Sequence, residues 1–202
     1  MTKTKNGLFV VATPIGNLGD MSVRAQEILT TVDKIACEDT RVTGKLLSRF
    51  SINTPMTLYH DHNAGRVRAG VLAELRQGAA IALVSDAGMP TISDPGYKLV
   101  KACIEDNIPL TVLPGANAAL TGLVQSGLPT DRFLFQGYLP VKSGARLSAL
   151  VELSCIPATL IFYETGKRLA KSLADMVSVL GDRPAAVARE LTKLHEEVRR
   201  GS

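Results

Sequence analysis

At 202 residues the chain has room for one large domain or two small ones, and 46% apolar residues supply a sizeable core. Aromatic residues make up only 4% and Trp is absent, which argues against stacking platforms of the kind that grip single-stranded bases. A net charge of +4 admits a polyanionic partner without requiring one, and from three widely spaced cysteines (Cys37, Cys103, Cys155) neither a disulfide framework nor a zinc site follows.

No run approaches the ~20 continuous apolar residues of a membrane span. The polar start, MTKTKNG, runs straight into a strand, so no secretory signal is expected, and no internal repeat or low-complexity stretch is visible. The expectation is a reduced, cytoplasmic protein without a membrane partner.

In chain order, apolar runs predict strands at 8–12, 35–37, 57–59, 81–84, 110–113, 133–137, 159–163 and 185–188. Ser22 is placed to cap a helix over Val23–Thr31 with Ala25, Ile28, Leu29 and Val32 on one face. A helix over 66–77 aligns Val67, Val71, Leu72 and Leu75 and stops at Gly78. Asp94-Pro95 reads as an N-cap and first-turn proline for a helix whose inner face holds Leu99, Val100, Cys103 and Ile104. Helical patterns recur at 117–126 and 168–180, stopped by Gly127 and Gly181, and the charged segment 190–200 also reads as helical.

Strand and helix alternating from end to end predict α/β layers on a largely parallel sheet. Turn residues (Gly127, Pro129, Pro140, Gly144) interrupt and restart the alternation, so a domain boundary is expected within 115–128, dividing the chain into 1–117 and 118–202. The first domain has five strand candidates. The second, with about 80 residues and three strands, is thin for an independent core, so either it leans on the first domain or the chain is a fragment and the domain incomplete.

Four strand ends carry loops rich in Gly, Pro and acid. The dodecapeptide SDAGMPTISDPG at 85–96 places Asp86 at a strand's carboxyl end, where open α/β sheets bind ligands, and its glycines and prolines restrict the loop. TPIGNLGD at 13–20 resembles a phosphate cradle in position but lacks both the GxGxxG and the GK[ST] spacing. In Glu38-Asp39-Thr40-Arg41, two acids and an Arg either orient a polar substrate or cap the helix that follows. In LPGANAA at 113–119, small residues permit close backbone approach, and Asn117 offers both donor and acceptor. If the sheet is parallel, all four loops converge on one edge.

The chain has no GxSxG nucleophile elbow. His60-Asp61-His62 offers two imidazoles but no evident third ligand, so no metal is expected. What remains is a reaction that relies on positioning, with a cofactor bringing the chemistry.

The segments ATPIGNLGD, CEDTR, YHDHN, LVSDAGMPTISDPG, VLPGANAAL, SGLPTDRF and ARELTKLHEE together resemble the tetrapyrrole-methylase superfamily over residues 7–200. They look most like its bacterial branch that methylates the ribose 2′-OH of a cytidine in 16S ribosomal RNA of the small subunit. The resemblance implies two α/β domains of the tetrapyrrole-methylase type, the first with a mainly parallel five-stranded sheet and the second smaller and truncated. It further implies S-adenosylmethionine (S-adenosyl-L-methionine) in the cleft between the domains, and a homodimer. Family cofactor positions map onto Pro14, Asp86, Met89, Asn117 and Ala118, and in the second domain onto Tyr163, Glu164 and Leu191.

Glu38 or Asp39 would accept the hydroxyl proton or orient the hydroxyl, and Arg41, Arg66 and Arg68 would help hold RNA. The chain reads Thr165-Gly166-Lys167 where the family usually has Ser-Pro-His. Two rival functions are methylation of a tetrapyrrole carbon and a non-catalytic RNA-binding or assembly module.

Overall fold

Residues 7–11 and 80–84, GLFVV and AIALV, are buried at every position, as strands covered by helices on both faces must be. In the computed structural model, which describes residues 5–60 and 64–202, they pair in parallel as β1 (Gly7–Val11) and β4 (Ala80–Val84). β2 (Lys34–Cys37) adds to β4, β3 (Met56–Leu58) to β2, and β5 (Leu110–Leu113) to β1. The resulting sheet is parallel throughout, in the order β3-β2-β4-β1-β5. Its edge strands β3 and β5 are the least buried.

Alternation along each strand divides the core in two. Phe9, Val11, Ile35, Cys37, Ala82 and Val84 face one side, packed with Ala25 and Leu29 of α1 (Val23–Thr31) and Leu47 of α2 (Thr40–Arg49). Leu8, Val10, Ala36, Ile81 and Leu83 face the other, with Val71, Leu72 and Leu75 of α3 (Ala64–Arg76) and Leu99 and Cys103 of α4 (Tyr97–Glu105). Ser22 caps α1 through its side chain, accepting from the Ala25 N–H at 3.1 Å.

The start of α4 departs from the sequence reading. Its N-cap is Gly96, at φ +130° and without a side-chain hydrogen bond, not Asp94. A Cβ on Gly96 would lie 2.6 Å from Leu83 Cδ2, so close approach to the sheet sets this turn. Ile104, expected on the buried face, is 61% exposed, because Leu99 and Cys103 already fill the contact with the sheet.

The chain divides into two compact units, Met1–Asn117 and Ala118–Ser202. The second begins with α5 (Ala118–Ser126) and builds a parallel pair from β6 (Phe133–Tyr138) and β7 (Thr159–Tyr163). The register slips between Phe135 and Gly137, leaving Gln136 as a bulge. α6 (Ser143–Ser154) follows β6, and α7 (Gly166–Leu180) follows β7. Between these two helices lies a buried ion pair, Arg146 to Asp175 at 2.6 Å.

Residues 190–200 are not a helix. β8 (Ala185–Arg189) turns back into β9 (Glu197–Gly201) as an antiparallel pair, with Arg189 directly opposite Glu197. Glu190 and Thr192 adopt positive φ in the turn, which no helix accommodates. The charges that suggested a solvated helix instead form cross-strand and neighbouring pairs, Arg189 to Glu197 at 2.5 Å and Arg199 to Glu197 at 2.6 Å. The second unit therefore holds four strands in two small sheets, one of them antiparallel.

Candidate active site

In the first unit, β4 lies between β2 and β1, and its connection leaves on the opposite face from theirs: α1 and α2 cover one side of the sheet, α4 the other. Both borders of β4 are thus topological switch points, the places where diverging connections open a crevice at the carboxyl ends of strands. The loops after β1, β2, β4 and β5 meet there.

The loops are joined by specific contacts. Thr13 and Gly88 form an isolated antiparallel bridge, with N–H to carbonyl distances of 2.9 and 3.0 Å. Beneath it, the buried Thr13 Oγ1 donates to the Ser85 carbonyl at 3.2 Å, and Ser85 Oγ donates back to the Gly88 carbonyl at 3.3 Å. Gly88 has φ +82°, and a Cβ there would stand 3.3 Å from Ile15 Cγ2 and 3.7 Å from the Ala116 carbonyl oxygen. A Cβ on Gly115 would lie 2.7 Å from that of Ala12. Small residues at 88 and 115 therefore let three loops close on one another. Sequence reasoning does not single out Thr13 and Ser85; their signal is a hydroxyl at the last position of an apolar run, in each case just before the loop turns.

The dodecapeptide also stores backbone strain. Thr91 and Ser93 sit at φ +74° and +63°, and such conformations, unusual for a β-branched residue, cost of order 1–3 kcal/mol each. Pro90, fully buried, anchors the segment.

Asp39 is the N-cap of α2, its carboxylate accepting from the Arg41 N–H at 2.8 Å, so the capping alternative for this segment is realised. The same carboxylate accepts from the Arg41 guanidinium at 2.6 to 3.2 Å. Hydrogen bonding from the Arg41 side chain, then from its backbone, holds the Asp39 carboxyl down at about 2. Asp86 moves the other way: partial desolvation raises it, with a further push from the Asp39 charge, although the Asp39 N–H donates to it at 3.1 Å and the residue as a whole is exposed. Glu38 is half-buried beside them in the chain.

Pro14, Glu38, Asp39, Asp86 and Asn117 are thus carried on loops at one sheet edge of the first unit, with Arg41 in the first turn of α2 beside them. Met89 belongs to the same loop as Asp86, with its side chain partly buried against the core face covered by α3 and α4. Arg66 and Arg68 fall at the start of α3, and Arg68 is half-buried; the Arg66 side chain lies outside the described residues. So do Asp61 and His62, and among the described residues no three His, Cys, Asp or Glu side chains gather as a metal site. Among the described residues no helix is long and apolar enough to cross a membrane.

In the second unit, Tyr163 ends β7 and meets the rings of Phe135 (centroids 4.9 Å apart) and Tyr138 (5.7 Å) edge-on. Glu164 is held internally: it accepts from Ser172 Oγ at 2.5 Å and from the Thr165 N–H at 2.8 Å, and it pairs with Arg168 at 3.2 Å. Leu191 is half-buried, with Cδ1 3.6 Å from the position a Cβ on Gly122 would take. Ala118 opens α5.

The family model for Tetrapyrrole (Corrin/Porphyrin) Methylases matches residues 7–202. The chain belongs to this family. Within the tetrapyrrole methylases, it is 53% identical over 196 residues to a Mesorhizobium japonicum protein named ribosomal RNA small subunit methyltransferase I, covering 96% of this chain and 67% of that one. A Synechocystis protein of the same name is 54% identical, covering 96% and 70%.

Among solved tetrapyrrole-methylase-like structures, a cobalt precorrin-4 methyltransferase of cobalamin biosynthesis aligns with a TM-score of 0.67 at 14% identity, covering 96% of this chain and 84% of that one. A uroporphyrin-III-C-methyltransferase from Thermus thermophilus gives 0.64 at 17% (96% and 84%), and a diphthine synthase 0.69 at 12% (96% and 80%). At these identities the structural likeness speaks for the fold.

Proposed function

We propose that this protein transfers a methyl group from S-adenosylmethionine to the ribose 2′-OH of a cytidine in small-subunit ribosomal RNA. The observation that carries the reading is identity above one half, across nearly the whole chain, to proteins named ribosomal RNA small subunit methyltransferase I. Methylation of a tetrapyrrole carbon has weaker support, since the two solved enzymes named for that chemistry are only 14% and 17% identical to this chain and share its fold alone.

The first unit's loop edge fits the cofactor. It offers an exposed carboxylate at Asp86, a backbone kept open by Gly88 and Gly115, and an Asn at 117 with both donor and acceptor. In this reading Pro14, Asp86, Met89 and Asn117 of the first unit and Ala118, Tyr163, Glu164 and Leu191 of the second supply its contacts. Glu164, already engaged by Ser172 and Arg168, contributes by fixing the backbone beside Tyr163. When bound, S-adenosylmethionine supplies a sulfonium methyl as electrophile.

The chain's own residues position the acceptor and handle its proton. Glu38 receives the 2′-OH proton or orients the hydroxyl. Asp39, already ionised and bonded to Arg41, holds that guanidinium in place rather than serving as a base. Arg41, its side chain 86% exposed, presents its outer edge to a phosphate, with Arg66 and Arg68 adding charge. The reading also includes a homodimer in the cytoplasm.

The test is incubation with labelled S-adenosylmethionine and unmethylated small ribosomal subunits, followed by nucleoside analysis. Label on a cytidine ribose is expected. Label on a base or on a tetrapyrrole substrate, or no transfer, overturns the reading.

A further inference from the structure

A second concentration of positive charge lies wholly within the second unit. Val141, Ser143, Arg146, Lys167, Arg168 and Lys171 line a cleft of about 310 Å³. It sits where the parallel strands β6 and β7 give way to α6 and α7, which pack together so that their first turns open side by side. Neither N-cap residue, Lys142 or Thr165, contributes a side-chain hydrogen bond, and neither first turn holds an acid. A helix N-terminus carries partial positive charge and favours anions. Four cations gathered at two such ends oppose that preference, so each needs a reason of its own.

Two of the four have structural work. Arg146 donates to Asp175 Oδ2 at 2.7 Å and to the carbonyls of Pro140 and Val141, while Arg168 donates to the Leu139 carbonyl at 2.6 Å and pairs with Glu164. Together they brace the 139–142 connection, and the two carboxylates balance their charge. Lys167 and Lys171 remain. They are exposed, one turn apart on α7, and among the described residues neither has an acidic partner. The excess charge of the cleft is theirs.

We propose that this cleft docks a backbone phosphate of the RNA substrate, held between the ammonium groups of Lys167 and Lys171 and the first-turn amides of α6 and α7. The inference rests on the RNA-methylating reading above. A phosphodiester offers several oxygens to donors arriving from different directions, which suits two flexible ammoniums and two helix ends. With so few aromatic residues for stacking, the grip on RNA falls to phosphate contacts.

The test measures binding of a small-subunit ribosomal RNA transcript across a salt series for the unaltered protein and two variants. One variant is Lys167→Ala/Lys171→Ala; the other, Lys98→Ala/Lys101→Ala, removes equal charge from exposed positions on α4. Loss of one phosphate contact should weaken binding about tenfold near 0.1 M salt and make the slope of log Kd against log salt shallower by about 0.7 to 0.9. S-adenosylmethionine affinity should stay unchanged, and Lys167→Arg/Lys171→Arg should restore RNA binding.

Equal losses in the α4 variant, or an unchanged slope in the α7 variant, overturn the proposal. If the unaltered protein binds RNA through Lys167 and Lys171 yet transfers no methyl group, the cleft stands and the functional reading falls.

Discussion

The main-chain N–H of Asp39 donates to Asp86 Oδ1 at 3.1 Å, so the loop after β2 hangs from the carboxylate that the loop after β4 presents. One oxygen of Asp86 is thereby committed to the scaffold, leaving the other for a ligand. Through that single bond the assigned acceptor-side residues, Glu38 and Arg41, are tied in place to the assigned cofactor side.

Replacing Asp86 with Ala should weaken S-adenosylmethionine binding by about 1–3 kcal/mol, the scale for losing a polar partner. Asp86→Asn keeps an acceptor for the Asp39 N–H and should lose less. Calorimetry on both variants checks the assignment; an unchanged dissociation constant in Asp86→Ala refutes it.

Glu38→Gln should lower turnover by about 10²–10⁴-fold, the usual contribution of a general base, with cofactor affinity preserved. Single-turnover kinetics separate the two quantities. If the rate holds, the proton leaves by another route.

The Asp39 carboxyl lies below its ordinary 3.8, at about 2, so the capped and paired arrangement favours the ionised form. Its stabilisation is fully present above pH 3.8 and is lost as the pH falls through about 2. Arg41→Ala should return the carboxyl toward 3.8, because the Arg41 side chain is the largest cause of the depression. Carboxyl chemical shifts followed from pH 5 to pH 1.5 report the midpoint directly.

Asp175→Asn should destabilise the protein by about 3–5 kcal/mol, since the Arg146 side chain, only 5% exposed, would keep its charge without a counter-ion. Denaturant unfolding followed by circular dichroism measures it. A loss below 1 kcal/mol would mean that the carbonyls of Pro140 and Val141 alone suffice for Arg146.

Gly88→Ala should cost of order 1–3 kcal/mol, from the positive φ at that position. Displacement of Ile15 should weaken cofactor binding as well. Thermal unfolding and calorimetry on the same preparation check both.

The first unit was legible because its signals are local and mutually consistent. Runs such as AIALV have the length and bounding residues of buried strands, and Ser22 and Gly78 mark helix ends by their own chemistry. The convergence of four loops followed from parallel order. Other features depend on distant partners. Gly96 rather than Asp94 begins α4 because Leu83, thirteen residues earlier in the sequence, leaves no room for a Cβ.

β9 was missed because EVRRG carries a single apolar side chain, Val198, and its pairing with β8 rests on charges that read equally well as a solvated helix face. The commitment of Asp39 to Arg41 was half legible: the sequence permits a cap, and only the fold shows both oxygens engaged.

The bulge at Gln136 has a consequence for which kinds of mutation β6 tolerates. In an unbroken strand, residues 135 and 138 would point to opposite faces; the extra residue brings both rings against Tyr163. What matters at position 136 is the number of residues more than their identity. Its exposed side chain can vary freely, whereas deleting the residue would turn Tyr138 away from Tyr163 and shift the entry to the 139–142 connection. In this strand a one-residue gap would be more damaging than most substitutions, so natural variation should show changes of letter at Gln136 and constancy of length from Phe133 to Pro140.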